Sequence, residues 1–403
     1  MVEEARLRRT ANGLVPTGSG WFVLNARDAV WIEHVGLGVL CAFEGPQGEA
    51  GFARLGFNLQ ALRPGEPMSM YHVEDREQED FLVLAGEALL IVEGEQHPLR
   101  ALDLFHSPPG VAHTIVGTGS DPCLVLAIGA RGRATTDDWG RYPVDATASR
   151  HGAGVDEETT IPKVAYARFP DGVETPFREQ LLAGFDAGAL GGVAAADRAG
   201  PASSGGWFVA DAREVPWGER SGRRGYHRES WFGGRGDFSQ LGIELAVADP
   251  GETIAMYHHE DAQEDYLVLG GEALAIVGGE ERPLRPLDLL HCPPGTPHTI
   301  VGADDGPCLL LVVGTRATAG WTYPVDPVAI RHGVGVEHET TDPRVAYSHF
   351  SPTQEVAFRP EFLAGLVAPA VDRATPLEPR LPRVDATRLP ADVDAVLDQP
   401  VDS

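Results

Sequence analysis

The chain repeats itself, and no other feature limits its architecture as much. FARLGFNLQALRPGEPMSMYH, residues 52–72, returns as FSQLGIELAVADPGETIAMYH, residues 238–258. EDFLVLAGEALLIVEGEQHPLRALDLFHSPPGVAHTIVG, from Glu79, returns as EDYLVLGGEALAIVGGEERPLRPLDLLHCPPGTPHTIVG, from Glu264. YPVDATASRHGAGVDEETTIPKVAYARF, from Tyr142, returns as YPVDPVAIRHGVGVEHETTDPRVAYSHF, from Tyr323. The offset drifts from 186 to 181 residues, as small loop deletions produce. Self-similarity on this scale means one domain built twice. The copies are assigned to residues 18–186 and 204–367. A short arm, 1–17, precedes them, and a Gly-, Ala- and Ser-rich linker, 187–203, joins them. A tail, 368–403, reads as extended or disordered.

Within each copy the apolar residues fall in short runs. Phe81-Leu82-Val83-Leu84 stops at Ala85-Gly86, and Ala88-Leu89-Leu90-Ile91-Val92 stops at Glu93-Gly94. Leu102-Asp103-Leu104-Phe105 leads to Pro108-Pro109-Gly110, and Cys123 to Gly129 forms another run. The chain's 48 glycines and 32 prolines punctuate such runs rather than forming low-complexity tracts. Strands of four to seven residues at this spacing predict an all-β, antiparallel sandwich or barrel in each copy. The segments after Tyr142 and Tyr323 are ambiguous between wrapping the barrel and forming a short helix.

Charge and cysteine content exclude several functions. With 32 Lys and Arg against 59 Asp and Glu, the net charge is −27. Such a surface repels phosphate backbones and anionic lipid. Cys41, Cys123, Cys292 and Cys308 form no C-x-x-C pair, so neither a disulfide framework nor a thiolate zinc site is expected. No stretch is apolar enough to export or span a membrane, so the expected location is cytoplasmic. A small-molecule substrate is the expected partner, with a second copy of the chain as another candidate, and neither nucleic acid nor membrane.

The chemistry concentrates in the second repeated block. Copy one has His72-Val73-Glu74, then Glu79, then His113 behind Pro108-Pro109-Gly110. Copy two has His258-His259-Glu260, then Glu264, then His298 behind Pro293-Pro294-Gly295. Residues i and i+2 of a strand share a face. A polar turn separates that pair from a strand that opens on Glu79 or Glu264. Two imidazoles and two carboxylates from three strands can then converge inside each barrel. Four inward-facing ionisable groups are costly to bury without a cation, which argues for occupancy over an empty relic.

These residues resemble the cupin superfamily, whose motifs are G-x5-H-x-H-x3,4-E-x6-G and G-x5-P-x-G-x2-H-x3-N. Glu79 and Gly86, and Glu264 and Gly271, keep the first spacing; the Pro-Pro-Gly-x-x-His segments keep the second. The resemblance implies two tandem cupin-type double-stranded β-helix (jelly-roll) barrels, a bicupin. It implies His72, Glu79 and His113, and His258, Glu264 and His298, as ligands of a divalent metal, Fe(II), Mn(II), Ni(II) or Zn(II), one per barrel. The sequence departs from the pattern in three places. Glu74 and Glu260 stand where the second histidine is usual, as a fourth ligand or as a general base beside the metal. Leu102 and Leu287 replace the leading glycine of the second motif, and Gly117 and Gly302 replace its asparagine. The implied activity is that of a metal-dependent, dioxygenase-like oxidoreductase acting on a small organic acid, phenol or keto compound. A sugar or sugar-phosphate isomerase or epimerase is the alternative, as is a non-catalytic metal- or ligand-binding protein.

Other residues carry weaker expectations. His106 and His291 read as core histidines or as groups that orient a ligand. Cys123 and Cys308 read as small core residues, and Tyr71 and Tyr257 as packing residues. Met70 and Met256, two residues before the first histidine, are expected to share its face and line the cavity. Arg150-His151 and Arg331-His332 suit a barrel mouth, an interdomain contact or a turn-stabilising link. Arg220, Arg223, Arg224, His227 and Arg228 make copy two basic where copy one is not. They suit an anion site, a contact with the partner barrel, or a solvated loop.

Overall fold

A computed structural model describes residues 2–132, 138–182, 184–185, 203–204, 206–222, 225–232, 238–303, 306–316, 320–364 and 366. The assigned linker, apart from Ser203, and the tail, 368–403, lie outside the described residues, as do Arg223 and Arg224. The description concerns the unit Met1–Ala370.

Among the described residues strands far outweigh helices, and each copy folds as two facing antiparallel sheets. In copy one the larger sheet runs Val173–Thr175, Trp31–His34, Gly38–Cys41, Leu55–Leu62, Cys123–Ala130, Glu79–Ala85 and Asp103–Ser107. The smaller runs Glu95–Arg100, Glu87–Val92, Ala112–Thr118, His72–Glu74 and Gly140–Arg141. Copy two repeats the larger sheet with Gln354–Ala357, Pro216–Ser221, Tyr226–Ser230, Leu241–Ala248, Cys308–Thr315, Glu264–Gly270 and Asp288–Cys292. Its smaller sheet is Glu280–Leu284, Ala273–Val277 and His298–Gly302. This is the antiparallel sandwich or barrel that the short apolar runs predict, and the tandem jelly roll that the cupin resemblance implies. The alternating pattern turns Val83, Val125 and Leu90 into one barrel's interior and Val268, Leu310 and Ala275 into the other's, all fully buried.

The sheets cross the copy boundary in both directions. Phe22–Asn25, at the start of copy one, pairs antiparallel with Asp288–Cys292 of copy two, placing Asn25 opposite Asp288. Trp207–Asp211, at the start of copy two, pairs with Asp103–Ser107 of copy one, placing Asp211 opposite Asp103. Each crossing segment is anchored where it returns to its own barrel. The buried Trp31 indole donates to the Ala26 carbonyl at 2.8 Å, and Trp217 donates to Ala212 at 2.7 Å.

The crossings bring matched polar groups to the inter-barrel face. Gln78 accepts the Gln240 backbone N–H at 3.0 Å, and Gln263 accepts that of Arg54 at 3.1 Å. Their amides donate to Asp80 and Asp265 at 2.6 and 2.8 Å, and those carboxylates pair with His106 and His291, each at 2.6 Å. The His291 ring stacks on Phe52 of copy one at 4.0 Å, and His106 meets Phe238 of copy two edge-on at 4.7 Å. His106 and His291 are therefore satisfied core residues of the joint between the barrels.

Two departures from the family motif have a backbone cause. Leu102 and Leu287 sit at φ +73° and +72°, in the left-handed region that favours glycine. Both side chains are buried in the main core, which offsets the strain. Gly117 and Gly302 leave no room for asparagine. A Cβ there would come within 2.6 Å of the Arg63 carbonyl and 2.5 Å of the Asp249 carbonyl.

The ambiguous segments form short helices. Ala146–Arg150 and Pro327–Arg331 are capped by Asp145 and Asp326, whose side chains accept backbone N–H groups at 2.7–2.8 Å. Tyr71 and Tyr257 pack beneath them with Ile91 and Ile276. His151 reaches Gln96 at 2.9 Å, and His332 reaches Glu281 at 2.8 Å, so these histidines clip the helices to a neighbouring hairpin. Met70 and Met256 differ from expectation. The strand opens only at His72, and alternation does not extend back past it. Both methionines pack against the return segments instead, beside Tyr142 and Val155, and beside Tyr323 and Val336. All four cysteines are buried and free.

Candidate metal centres

Three segments of each barrel place one donor apiece at a common point. In copy one these are His72 from the strand His72–Glu74, Glu79 opening the next strand, and His113 from Ala112–Thr118. His72 and His113 face each other as register partners, as do His258 and His298 in copy two. One ligand atom from each of His72, Glu79 and His113 lies within 4.8 Å of the others, and the same holds for His258, Glu264 and His298. Glu74 and Glu260 belong to neither group.

Hydrogen bonding sets the tautomers. Nδ1 of His72, His113, His258 and His298 lies 2.8–3.0 Å from the carbonyls of Met70, Val111, Met256 and Thr296 respectively. A carbonyl only accepts, so each Nδ1 carries the hydrogen and each neutral ring turns a lone pair at Nε2 inward. Those lone pairs meet a carboxylate oxygen. His72 and His113 Nε2 lie 3.1 and 3.2 Å from Glu79 Oε2, and His258 and His298 lie 3.4 and 3.1 Å from Glu264 Oε2.

Acceptors facing acceptors in a buried site need a proton or a cation between them. His113 Nε2 and Glu264 Oε2 are buried without a hydrogen-bond partner. Two imidazole nitrogens and one carboxylate, each with a free lone pair, suit a divalent metal with open positions. Without an ion, protons shared between the histidines and the carboxylate meet part of that need. Burial opposes ionisation of Glu79 and Glu264, but the paired histidines outweigh it and hold both carboxyls well below the usual range. Burial disfavours charge on His72 and His258, and the adjacent glutamates override it, raising both.

Glu74 and Glu260 are set apart electrically. Burial, then the charge of Glu79 or Glu264, pushes each up to about 7. Each is thus poised to gain or lose a proton near neutrality, close to the three-donor group.

The two centres differ in their surroundings. Copy one has Phe81 where copy two has Tyr266. The Phe81 ring stands 5.2 Å from His113, and the Tyr266 ring 5.4 Å from His298. The Tyr266 hydroxyl reaches His298 Nε2 at 2.8 Å. The second centre also opens into a cavity of about 520 Å³ that includes Glu260 and Glu264. Its walls carry Trp231, Phe238, Trp321 and Arg316. Arg316 follows the last barrel strand, as Arg131 does in copy one. In both, the backbone N–H and the side chain bond matching carbonyls, those of Gln240 and Phe238 or of Arg54 and Phe52. Arg131 is also held by both oxygens of Glu44, at 2.6 and 2.7 Å. Arg316 has no carboxylate within ion-pair distance among the described residues.

Tyr266 and Arg316 escaped the sequence reading. The signal for Tyr266 was present as the Phe-to-Tyr difference between EDFLVLAG and EDYLVLGG, two residues from the glutamate on the same strand face. The basic residues near 220 do not form a free anion site among the described ones. Arg228 pairs with Glu219 and Asp249, and Arg220 lies over the Tyr347 and Phe350 rings.

A cupin-domain family model matches the sequence twice, over residues 58–129 and 245–314. Each match contains one complete His/Glu/His group. The chain is a bicupin. No curated protein matches the bicupin's sequence. Solved structures do match. A Bacillus subtilis oxalate decarboxylase studied for its Mn(II) centres is 13% identical, with a TM-score of 0.46, over 78% of this chain and 80% of that one. An oxalate decarboxylase structure concerned with substrate binding mode and a reaction-specificity switch gives the same figures. A mutant of the B. subtilis enzyme is 14% identical, also with a TM-score of 0.46 and the same coverage. At that distance the likeness carries nothing about activity. Among the described residues of the bicupin, no helix is long and apolar enough to cross a membrane.

Proposed function

We propose that this bicupin is a divalent-metal enzyme, a dioxygenase-like oxidoreductase acting on a small organic acid. The carrying observation is the inward-facing set of two Nε2 lone pairs and one carboxylate oxygen, with a buried acceptor left unpartnered. His72, Glu79 and His113 would hold one ion, and His258, Glu264 and His298 another. A divalent metal supplies a Lewis acid that binds and polarises substrate oxygens, and Fe(II) adds the capacity to use O2. Glu74 and Glu260 stay off the metal and serve as bases, taking a proton from the substrate. Arg316 favours an acid over a neutral phenol or keto compound, because a guanidinium with no carboxylate within ion-pair distance among the described residues is suited to one on the substrate. Trp231, Phe238 and Trp321 give the cavity flat aromatic walls.

The test is metal analysis of protein purified without an affinity tag, followed by a screen of small organic acids with and without O2. Two divalent ions per chain are expected, and replacing His258 and His298 with Ala should remove one. Metal content unchanged in that variant and in the matching His72/His113 variant overturns the metal reading. Turnover without O2, supported by Mn or Zn, identifies an isomerase, and binding without turnover a non-catalytic cupin. Glu260→Gln separates base from ligand. A base predicts at least a ~100-fold fall in turnover at full metal content, whereas a ligand predicts loss of the metal. Sedimentation of the purified chain decides whether a second copy associates with it, and fractionation of the source cells decides whether it is cytoplasmic.

A further inference from the structure

The two centres share their three donors but not the fourth group that faces them. His113 and His298 are bound identically through Nδ1, to the carbonyls of Val111 and Thr296. At Nε2 they diverge. Tyr266 O–H donates to His298 Nε2 at 2.8 Å, since that nitrogen carries no hydrogen of its own. Phe81 offers His113 nothing, and among the three donors of copy one His113 Nε2 is the buried atom left without a hydrogen-bond partner. Among the three donors of copy two that atom is Glu264 Oε2. Tyr266 is 2% exposed, and its ring lies against His298, so the hydroxyl is buried beside the centre.

A metal ion and a phenolic hydrogen cannot share one lone pair. When an ion takes His298 Nε2, the Tyr266 hydroxyl loses its acceptor while remaining beside the centre. A buried hydroxyl without a partner is costly, and the acceptors then left to it are the Glu264 carboxylate beside it and an oxygen atom of whatever molecule fills the free side of the site. Accepting the metal reading above, we infer that Tyr266 is a catalytic residue of the second barrel alone: its hydroxyl donates a hydrogen bond to the substrate's oxygen at the centre formed by His258, Glu264 and His298. The first barrel, with Phe81, holds its metal without that donor. The cavity with Arg316 adjoins the same second centre.

The test exchanges the two residues. Wild type, Tyr266→Phe and Phe81→Tyr are loaded with Co(II) and titrated with acetohydroxamate, a small oxygen-donor ligand, while the cobalt absorption is followed. Wild type should show two phases, the tighter belonging to the second centre. Tyr266→Phe should weaken that phase by about 10-fold, the loss expected for one hydrogen bond to an ionised ligand oxygen. Phe81→Tyr should tighten the other phase. Cobalt content should stay at two per chain throughout. Unchanged phases in Tyr266→Phe at full cobalt content overturn the inference. So does loss of one cobalt from that variant, which would make Tyr266 a ligand. Absence of cobalt binding by wild type is a different failure, that of the metal reading itself.

Discussion

Leu102 and Leu287 show how one residue can satisfy two conflicting demands. The turn before the strand requires positive φ, and glycine meets that requirement without strain. Leucine there stores roughly 1–2 kcal/mol of backbone strain. Its buried side chain contributes about 2–5 kcal/mol, judged from truncations in well-packed cores. The balance favours leucine, and Leu287→Gly should destabilise the protein by about 1–3 kcal/mol. Urea unfolding of that variant checks the sign. A midpoint at or above that of wild type would mean that strain dominates.

At the scale of an element, the strand Tyr226–Ser230 carries a pH dependence. His227 is buried, and burial followed by the Arg220 and Arg228 charges pushes it down to about 3. Its Nδ1 faces the Arg220 guanidinium at 3.4 Å, and its Nε2 lies 3.9 Å from Glu229. The folded chain therefore keeps this ring neutral, while the unfolded chain protonates it below about pH 6.5. Between pH 6.5 and 3 the unfolded state binds the extra proton, so stability falls as pH falls through that window and is unaffected above it. The loss at pH 5 is about 2 kcal/mol. Unfolding midpoints at pH 7.5 and pH 5 should differ less in His227→Gln than in wild type. An equal difference would show that the ring contributes nothing.

Much of the site could be read from the sequence, because a ligand set repeated twice with fixed spacing is a local pattern. Five of the six candidate donors lie on short strands, and His258 lies on an isolated bridge to His298. What could not be read was non-local. The Nδ1 bonds that set the histidine tautomers run to carbonyls whose direction depends on folded turns. The joint at His106 and His291 depends on aromatic rings contributed by the other copy. Met70 and Met256 were misplaced because strand periodicity was extended one step beyond the strand's start.

Across the whole molecule, the reciprocal crossing of Phe22–Asn25 and Trp207–Asp211 makes the two barrels one folding unit. Neither larger sheet is complete without a strand from the other half. Calorimetry should give a single unfolding transition in which both barrels melt together. A protease site placed in the 187–203 linker and then cut should leave two fragments that co-elute in gel filtration. Separation of the fragments without denaturant, or two resolved melting transitions, would show that the crossings do not hold the halves together.

The crossing also bears on how the two sites can differ. Two identical subunits that traded opening strands would form the same kind of joint, but every substitution would then appear in both of their centres. A single gene encoding both halves removes that symmetry. One centre can keep a phenyl ring while the other acquires a hydroxyl, and one arginine can stay neutralised while its twin is exposed to a ligand. Because each half supplies a strand to its neighbour, the unaltered half still supports the altered one. The covalent tie thus permits chemical specialisation that a symmetric pair could not sustain.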